Sequence, residues 1–139
     1  MIHLCGKGKL DESLKNTKGY VQYEYIKKEL ADLFALADVV ISRAGANAIC
    51  ELSALKKPNL LIPLSARASR GDQILNARSF ERMGYSVVLE EEEITNEKLL
   101  ETIHSLYKNR ASYADAMSKS KLTDSIEEIV RLFEQAVNK

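Results

Sequence analysis

A doubly wound α/β fold, with a parallel sheet covered by helices on both faces, is predicted by three observations. Short apolar runs are bounded by turn residues, segments of helical period alternate with those runs, and the length and composition suit one compact domain. The alternation of strand and helix implies right-handed crossovers and hence parallel pairing. The 139 residues fall within the range of about 100–200 typical of a single domain.

Taken in order, residues 2–5 (IHLC) form an apolar run that stops at Gly6-Lys7-Gly8-Lys9, which reads as a buried strand. Residues 20–23 predict a second, shorter strand. Across 27–37, Leu30, Leu33, Phe34 and Ala37 recur at i, i+3, i+4 and i+7, one face of an amphipathic helix. Residues 38–42 (DVVIS) are β-branched and apolar and predict a strand. Gly45 opens a helical stretch to about residue 56, Pro58 bars its continuation, and 59–63 (NLLIP) predicts the next strand. Residues 65–72 (SARASRGD) are small and polar and too long for a minimal connection, which suits a functional loop. A helix is expected from about 73 to 83 with Gly84 as its C′ residue, then a strand over 86–89 (SVVL) and the acidic run 90–93. The remainder is expected to be helical. Thr95 caps one helix that turns Leu99, Leu100, Ile103 and Leu106 inward, and Ser125 with Glu128 fits the capping box of the last.

Composition excludes several classes of function. Apolar residues at 45% and charged residues at 29% are far from the signature of disorder. Twenty basic side chains balance twenty acidic ones, so the broad basic field of a nucleic-acid binder is absent and no nucleic-acid partner is expected. Cys5 and Cys50 are far apart and lie in apolar surroundings, which predicts reduced core thiols rather than a disulfide or a metal site, and therefore a reducing cytosol. No apolar stretch approaches the ~18 residues of a spanning helix, and residues 1–20 lack the apolar core of a signal peptide, so membrane contact is expected to be peripheral or through a partner.

Ligands of doubly wound sheets bind outside the carboxyl ends of the strands. The most informative segment there is 41–51, ISRAGANAICE, where a strand runs through Ser42-Arg43-Ala44-Gly45-Ala46 straight into a helix. Small residues let a ligand approach the backbone, and the free amides and dipole of the helix start suit a pyrophosphate. Glu51 lies six residues past Gly45, about 9 Å along the helix at 1.5 Å per residue. A carboxylate at that distance suits both hydroxyls of a ribose. The alternative is that Gly45 makes only a tight turn and Glu51 is a solvated helix residue.

A second constellation, 67–76 (RASRGDQILN), places Arg67, Arg70, Asp72, Gln73 and Asn76 on a long loop and the first turn of the next helix. Gln73 and Asn76 are i, i+3 neighbours whose amides suit a hydroxyl-rich sugar. Ser69-x-x-Asp72 also matches a capping box, which accounts for Asp72 without a ligand and leaves Gln73 as the functional candidate. The Gly6-Lys7-Gly8-Lys9 segment completes no phosphate-loop motif and reads as a polar loop. His3 and His104 have no nucleophile and carboxylate at catalytic spacing and read as structural or surface residues; the 90–93 run reads as a solvated loop rather than a metal site. No catalytic base is recognisable.

The order ADVVISRAGANAICELSALKKPNLLIP followed by GDQILNARSFERMGYSVVL resembles the C-terminal half of the MurG family, the UDP-N-acetylglucosamine transferases that complete lipid II in bacterial peptidoglycan synthesis. The resemblance covers essentially the whole chain. It implies the GT-B architecture, two Rossmann-like domains of which the second holds the donor. This chain would be that second domain without its first βα unit, its Gly-rich loop and the acceptor domain, and Met1 would start a fragment, a truncated product or one subunit of a split enzyme. The resemblance further implies that the backbone at Tyr25 and Ile26 meets uracil, that Ala44-Gly45-Ala46 faces the diphosphate, that Glu51 holds the ribose and that Gln73 contacts the sugar. Ser42, Arg43, Asn47, Asp72 and Asn76 complete the donor-binding set. Departures fall at Asn47-Ala48, where many relatives have Thr-Thr, and at Gly71-Asp72-Gln73, where many have Asp-His-Gln. The implied donor substrate is UDP-N-acetylglucosamine, with no cofactor and no metal. The implied partner is a lipid-linked acceptor held by the missing N-terminal domain or subunit, and the implied location is cytoplasmic, at the inner face of the plasma membrane. The rival readings are a glycolipid-forming sugar transferase of the same fold and a non-catalytic α/β module that binds a partner.

Overall fold

In the computed structural model, which describes residues 1–120, 131 and 133–135, the strands form two parallel sheets, one of two strands and one of three. They belong to two compact units, Met1–Leu36 and Ala37–Lys139. In the first unit, strand β1 (Ile2–Leu4) pairs with β2 (Val21–Tyr23), Ile2 opposite Val21 and Leu4 opposite Tyr23. The connection between them is held by its own polar groups. Residues 6–9 close a turn through the Lys9 amide and the Gly6 carbonyl (3.2 Å), and the Gly8 amide donates to the Glu24 carboxylate. Asp11 and Gln22 exchange two backbone-to-side-chain hydrogen bonds, and Asp11 caps the single 3-10 turn Glu12–Leu14. Helix α1 (Leu30–Leu36) is shorter than the 27–37 expected, because residues 27–29 form a turn before the helical ladder begins at the Leu33 amide and the Glu29 carbonyl.

The second unit is built on its central strand. β3 (Val40–Ser42), β4 (Asn59–Leu61) and β5 (Ser86–Val88) are all parallel in the order β3-β4-β5, and β4 is buried along its whole length. Successive strand side chains point to opposite faces, and the two leucines of β4 accordingly serve two cores. Leu61 packs with Ala44, Ile49 and Ala77, joined by Phe80 and Val88. Ile49 comes from α2 (Ala46–Ala54), and Ala77 and Phe80 from α4 (Asp72–Arg82). Leu60 packs with Leu89 and Leu106, joined by Leu99 and Ile103 of α5 (Asn96–Lys108) and Tyr113 of α6 (Arg110–Ser118). Full burial of each leucine stabilises the fold by about 1.5–3 kcal/mol. Helices therefore cover both faces of a parallel sheet, the arrangement that the strand–helix alternation implied.

Local signals hold at several ends. The Thr95 hydroxyl caps α5 by accepting from the Lys98 amide (3.1 Å), and Gly84 follows α4 in the left-handed region (φ 74°), where a side chain would be strained. Other expectations are corrected. The 65–72 segment contains a one-turn helix, α3 (Ala66–Ser69). Leu100 is 57% exposed, because Leu99, Ile103 and Leu106 already define the inner face of α5. Cys5 and Cys50 are both free, but Cys5 is only half-buried and Cys50 is exposed, since Ile49 and Leu52 are the residues that α2 turns inward. The proposed capping box of Ser125 and Glu128 lies outside the described residues. Among the described residues, no helix is long and apolar enough to cross a membrane.

Candidate functional site

The carboxyl end of the three-stranded sheet is shaped by the segments that follow β3, β4 and β5. After β3, Ala44 is fully buried in the core while Asn47, Cys50 and Glu51 of α2 are exposed. Between them Gly45 occupies the N-cap position with φ −67° and ψ 141°, an extended conformation open to any residue. A Cβ built there would meet nothing within 4 Å. Neither backbone geometry nor internal packing therefore requires a glycine at this position. No side chain caps the helix, so its first N–H groups, which have no intrahelical partner, face outward beside an open backbone. Asn47 and Glu51, at i and i+4, share one exposed face of the helix. The Glu51 carboxylate has no hydrogen-bond or ion-pair partner among the described residues.

The first turn of α4 behaves differently. Gly71, at φ 85°, is its N-cap residue and Asp72 its first helical residue, so Ser69 and Asp72 do not form the expected capping box. The box fails because Arg70 and Gly71 are both left-handed (φ 53° and 85°) and restart the chain between two helices. Gln73 accepts a hydrogen bond from the Leu64 amide through Oε1 (3.1 Å), tying α4 to the segment after β4. Asn76 donates through Nδ2 to the Ala44 carbonyl (3.3 Å), tying α4 to the segment before α2. These amides brace the loops. Asp72, Arg67 and Arg70 are exposed.

Charge gathers along the same end. Arg43 donates through Nη2 to Glu91 Oε1 (2.8 Å) and through Nη1 to the Ile62 carbonyl (3.3 Å). That guanidinium holds the Glu91 carboxyl below the usual carboxylate range, chiefly through the hydrogen bond and then through its charge, and the Ser65 backbone adds a weaker hydrogen bond. The acidic run is thus not simply a solvated loop. It forms a 3-10 turn at Glu91–Glu93 in which Glu90 pairs with Arg78, Glu91 with Arg43, and Glu93 with Lys98 (2.9 Å). Arg78 also reaches Glu81 (2.7 Å), and those partners raise its pKa. These pairs are exposed and screened by solvent, so their effect is on geometry more than on stability. Glu91 was missed in the sequence because it lies 48 residues from Arg43 with no periodicity to link them.

Of the remaining candidates, the Ser42 hydroxyl donates to the Arg43 carbonyl (3.0 Å) and Ala46 is exposed. Tyr25 and Ile26 belong to the first unit; Tyr25 is 71% exposed with the Lys27 ammonium 5.5 Å above its ring, and Ile26 is half-buried. His3 is bonded to the Tyr20 hydroxyl (2.7 Å) and His104 is exposed on α5. Among the described residues no group of three or more His, Cys, Asp or Glu could hold a metal ion.

The chain is similar in sequence and in fold to known proteins. The sequence is 62% identical over 135 residues to the UDP-N-acetylglucosamine–N-acetylmuramyl-(pentapeptide) pyrophosphoryl-undecaprenol N-acetylglucosamine transferase of Lachnoclostridium phytofermentans, covering 97% of this chain and 38% of that protein. It is 59% identical over 138 residues to the transferase of the same name from Clostridium perfringens, covering 99% of this chain and 39% of the relative. The chain therefore spans well under half the length of these curated relatives. In fold it is similar to the crystal structure of Acinetobacter baumannii MurG, with a TM-score of 0.75 and 21% identity over 96% of this chain and 40% of that one. It is also similar to the glycotransferase of kitacinnamycin, with a TM-score of 0.61 and 21% identity over 73% of this chain and 24% of the other. A sequence model of the glycosyltransferase family 28 C-terminal domain matches residues 1–132, and the chain belongs to that family.

Proposed function

We propose that this chain is the donor-binding half of an inverting N-acetylglucosaminyltransferase, holding UDP-N-acetylglucosamine while the muramoyl 4-hydroxyl of a lipid-linked acceptor attacks the anomeric carbon and UDP departs. One observation carries the reading: Gly45 has an ordinary backbone conformation and open space where a side chain would be, at the uncapped start of a nine-residue helix. Room for an anion is the physical reason to keep that position bare, and the amides and dipole of the helix start stabilise charge growing on the leaving diphosphate. Glu51, with no hydrogen-bond or ion-pair partner among the described residues, lies about 9 Å from Gly45 along the helix axis, under two turns on, and is suited to accept from ribose hydroxyls. Asn47 lies on the same face, with Ser42, Ala44 and Ala46 forming the approach. Asp72, Gln73 and Asn76 form the sugar side, and the backbone at Tyr25 and Ile26 is assigned to uracil. The reaction needs no cofactor or metal in this reading.

The domain assignment is part of the same proposal. β1 and β3 each have one unpaired edge, β1 beside β2 and β3 at the end of its sheet, and parallel strands are usually buried within wider sheets. A first βα unit, carrying the Gly-rich loop, would supply a further parallel strand, and an N-terminal domain or subunit would hold the acceptor. The whole enzyme would work at the cytoplasmic face of the membrane as a peripheral protein.

Titration of the isotope-labelled chain with UDP, ADP and NAD tests the reading. UDP is expected to shift the amides of residues 45–51 most, and weakly, without the Gly-rich loop. Equal responses, or the strongest to NAD, would overturn it. In a radiolabelled transfer assay the chain alone is expected to be inactive and to regain activity with its acceptor half, since near-attack geometry is worth about 7–11 kcal/mol and one wall of a cleft does not supply it. No recovery would favour the non-catalytic module.

A further inference from the structure

The ion pair of Arg43 and Glu91 joins the segments after all three strands of the sheet. Arg43 leaves the chain immediately before Ala44 and Gly45. Its guanidinium reaches the Ile62 carbonyl just past β4 (3.3 Å) and Glu91 in the turn past β5 (2.8 Å). Glu91 in turn receives the Ser65 backbone, at the head of the loop whose far end is braced by Gln73. The start of that loop and the approach to the α2 N-cap are thereby joined through one guanidinium–carboxylate pair, while Gln73 ties the loop's far end back to Leu64. Both of the contacts described for Arg43 are made within the protein.

We propose that Arg43 and Glu91 are positioning residues for the donor nucleotide: the clasp sets the relation between the Gly45 backbone and the 64–71 loop and does not itself touch the ligand. This rests on the donor-binding reading above. It also makes a distinction of sign. If Arg43 bound phosphate directly, Glu91 would compete with the ligand for it, and removing Glu91 would leave binding unchanged or tighten it. If the pair acts as a clasp, removing either partner weakens binding, and removing the second adds little because the interaction is already lost.

The test is a double-mutant cycle with Arg43→Met, Glu91→Ala and the combined variant, titrated with UDP-N-acetylglucosamine by amide shifts at constant salt, with melting curves alongside. Each single variant is expected to bind about two- to fivefold more weakly, the scale of an exposed ion pair. The double variant is expected to match either single one, with little change in melting temperature. Unchanged or tighter binding by Glu91→Ala, or additive losses, would overturn the clasp. Hydrogen exchange in the free chain separates this outcome from failure of the donor reading. If the wild-type chain binds no nucleotide, the donor reading fails. The clasp still predicts faster exchange in both single variants at the amides of Ile62, bonded to the Ser42 carbonyl, and Leu64, bonded to Gln73, and unchanged exchange would refute it.

Discussion

The first turns of α2 and α4 reach the same end of the sheet with opposite bonding. On α2, Gly45 is open, Asn47 is exposed and the Glu51 carboxylate has no hydrogen-bond or ion-pair partner among the described residues. On α4, Gln73 is bonded to the Leu64 amide and Asn76 to the Ala44 carbonyl. Groups without internal partners are available to a ligand at little cost. Groups already bonded within the protein must exchange one hydrogen bond for another, so they contribute more to the shape of the site than to its affinity. Residue type alone does not separate the two roles, since both turns offer polar side chains of similar reach.

Substitution at Gly45 should break this contrast most severely. Gly45→Ala fits the extended backbone and its Cβ meets no protein atom within 4 Å, so melting should fall only by the modest cost of replacing glycine at a helix N-cap. UDP binding, followed by amide titration, should fall by at least about tenfold, or 1.4 kcal/mol. Full affinity in this variant would mean that nothing occupies the space in front of the helix. Next in size, Glu51→Ala should weaken UDP binding by about 1.5–3 kcal/mol, the range for hydrogen bonds to a charged group. It should leave stability unchanged, and 2′,3′-dideoxy UDP should bind wild type and variant alike. If the variant binds UDP as wild type does, Glu51 is only a solvated helix residue.

Gln73→Ala sharpens the other side of the comparison. It removes the acceptor of a half-buried amide and should destabilise the fold by about 0.5–1.5 kcal/mol, measured by thermal or urea unfolding, whereas Glu51→Ala does not. Equal stability of the two variants would erase the distinction between bracing and free groups. The smallest effect concerns pH. The Glu91 carboxyl is held low by Arg43, so whatever the pair contributes is present above the ordinary carboxylate range and is lost as pH falls through the lowered value. Carboxyl carbon shifts should titrate at higher pH in Arg43→Met than in wild type; coincident curves would show that the pair does not form in solution.

The pattern of strands was legible because it is local: each run carries its own apolar residues and its own Gly or Pro boundary, as at Pro58 before β4 and Gly84 before β5. The N-terminal junction of α2 was legible for the same reason, with small residues placed between a strand and a helix. Long-range bonding was not. Nothing in the order of residues joins Arg43 to Glu91 or Gln73 to the Leu64 amide, and a left-handed Arg70 is not a conformation that its residue type favours. The exposure of Cys50 was hidden by a different cause. Its apolar neighbours suggested burial, but Ile49 and Leu52 set the phase of α2 and turn Cys50 away from the core.

The two cores on either side of β4 meet in adjacent, identical residues. A shift of one position exchanges the faces of a strand; in one direction Leu61 and Ile62 would replace Leu60 and Leu61 in the two cores, and in the other Asn59 would enter the Leu60 core. Side-chain volume and polarity therefore oppose the shift in one direction far more than in the other. Discrimination falls to the ends of the segment, where the Pro58 carbonyl receives the Val40 amide (3.0 Å), Asn59 donates its side-chain amide to the Lys57 carbonyl (2.9 Å) and the buried Pro63 has no N–H to offer a ladder. The fidelity of the sheet is encoded at its margins, and a polar-to-apolar exchange at Asn59 would test alignment more than it would test packing.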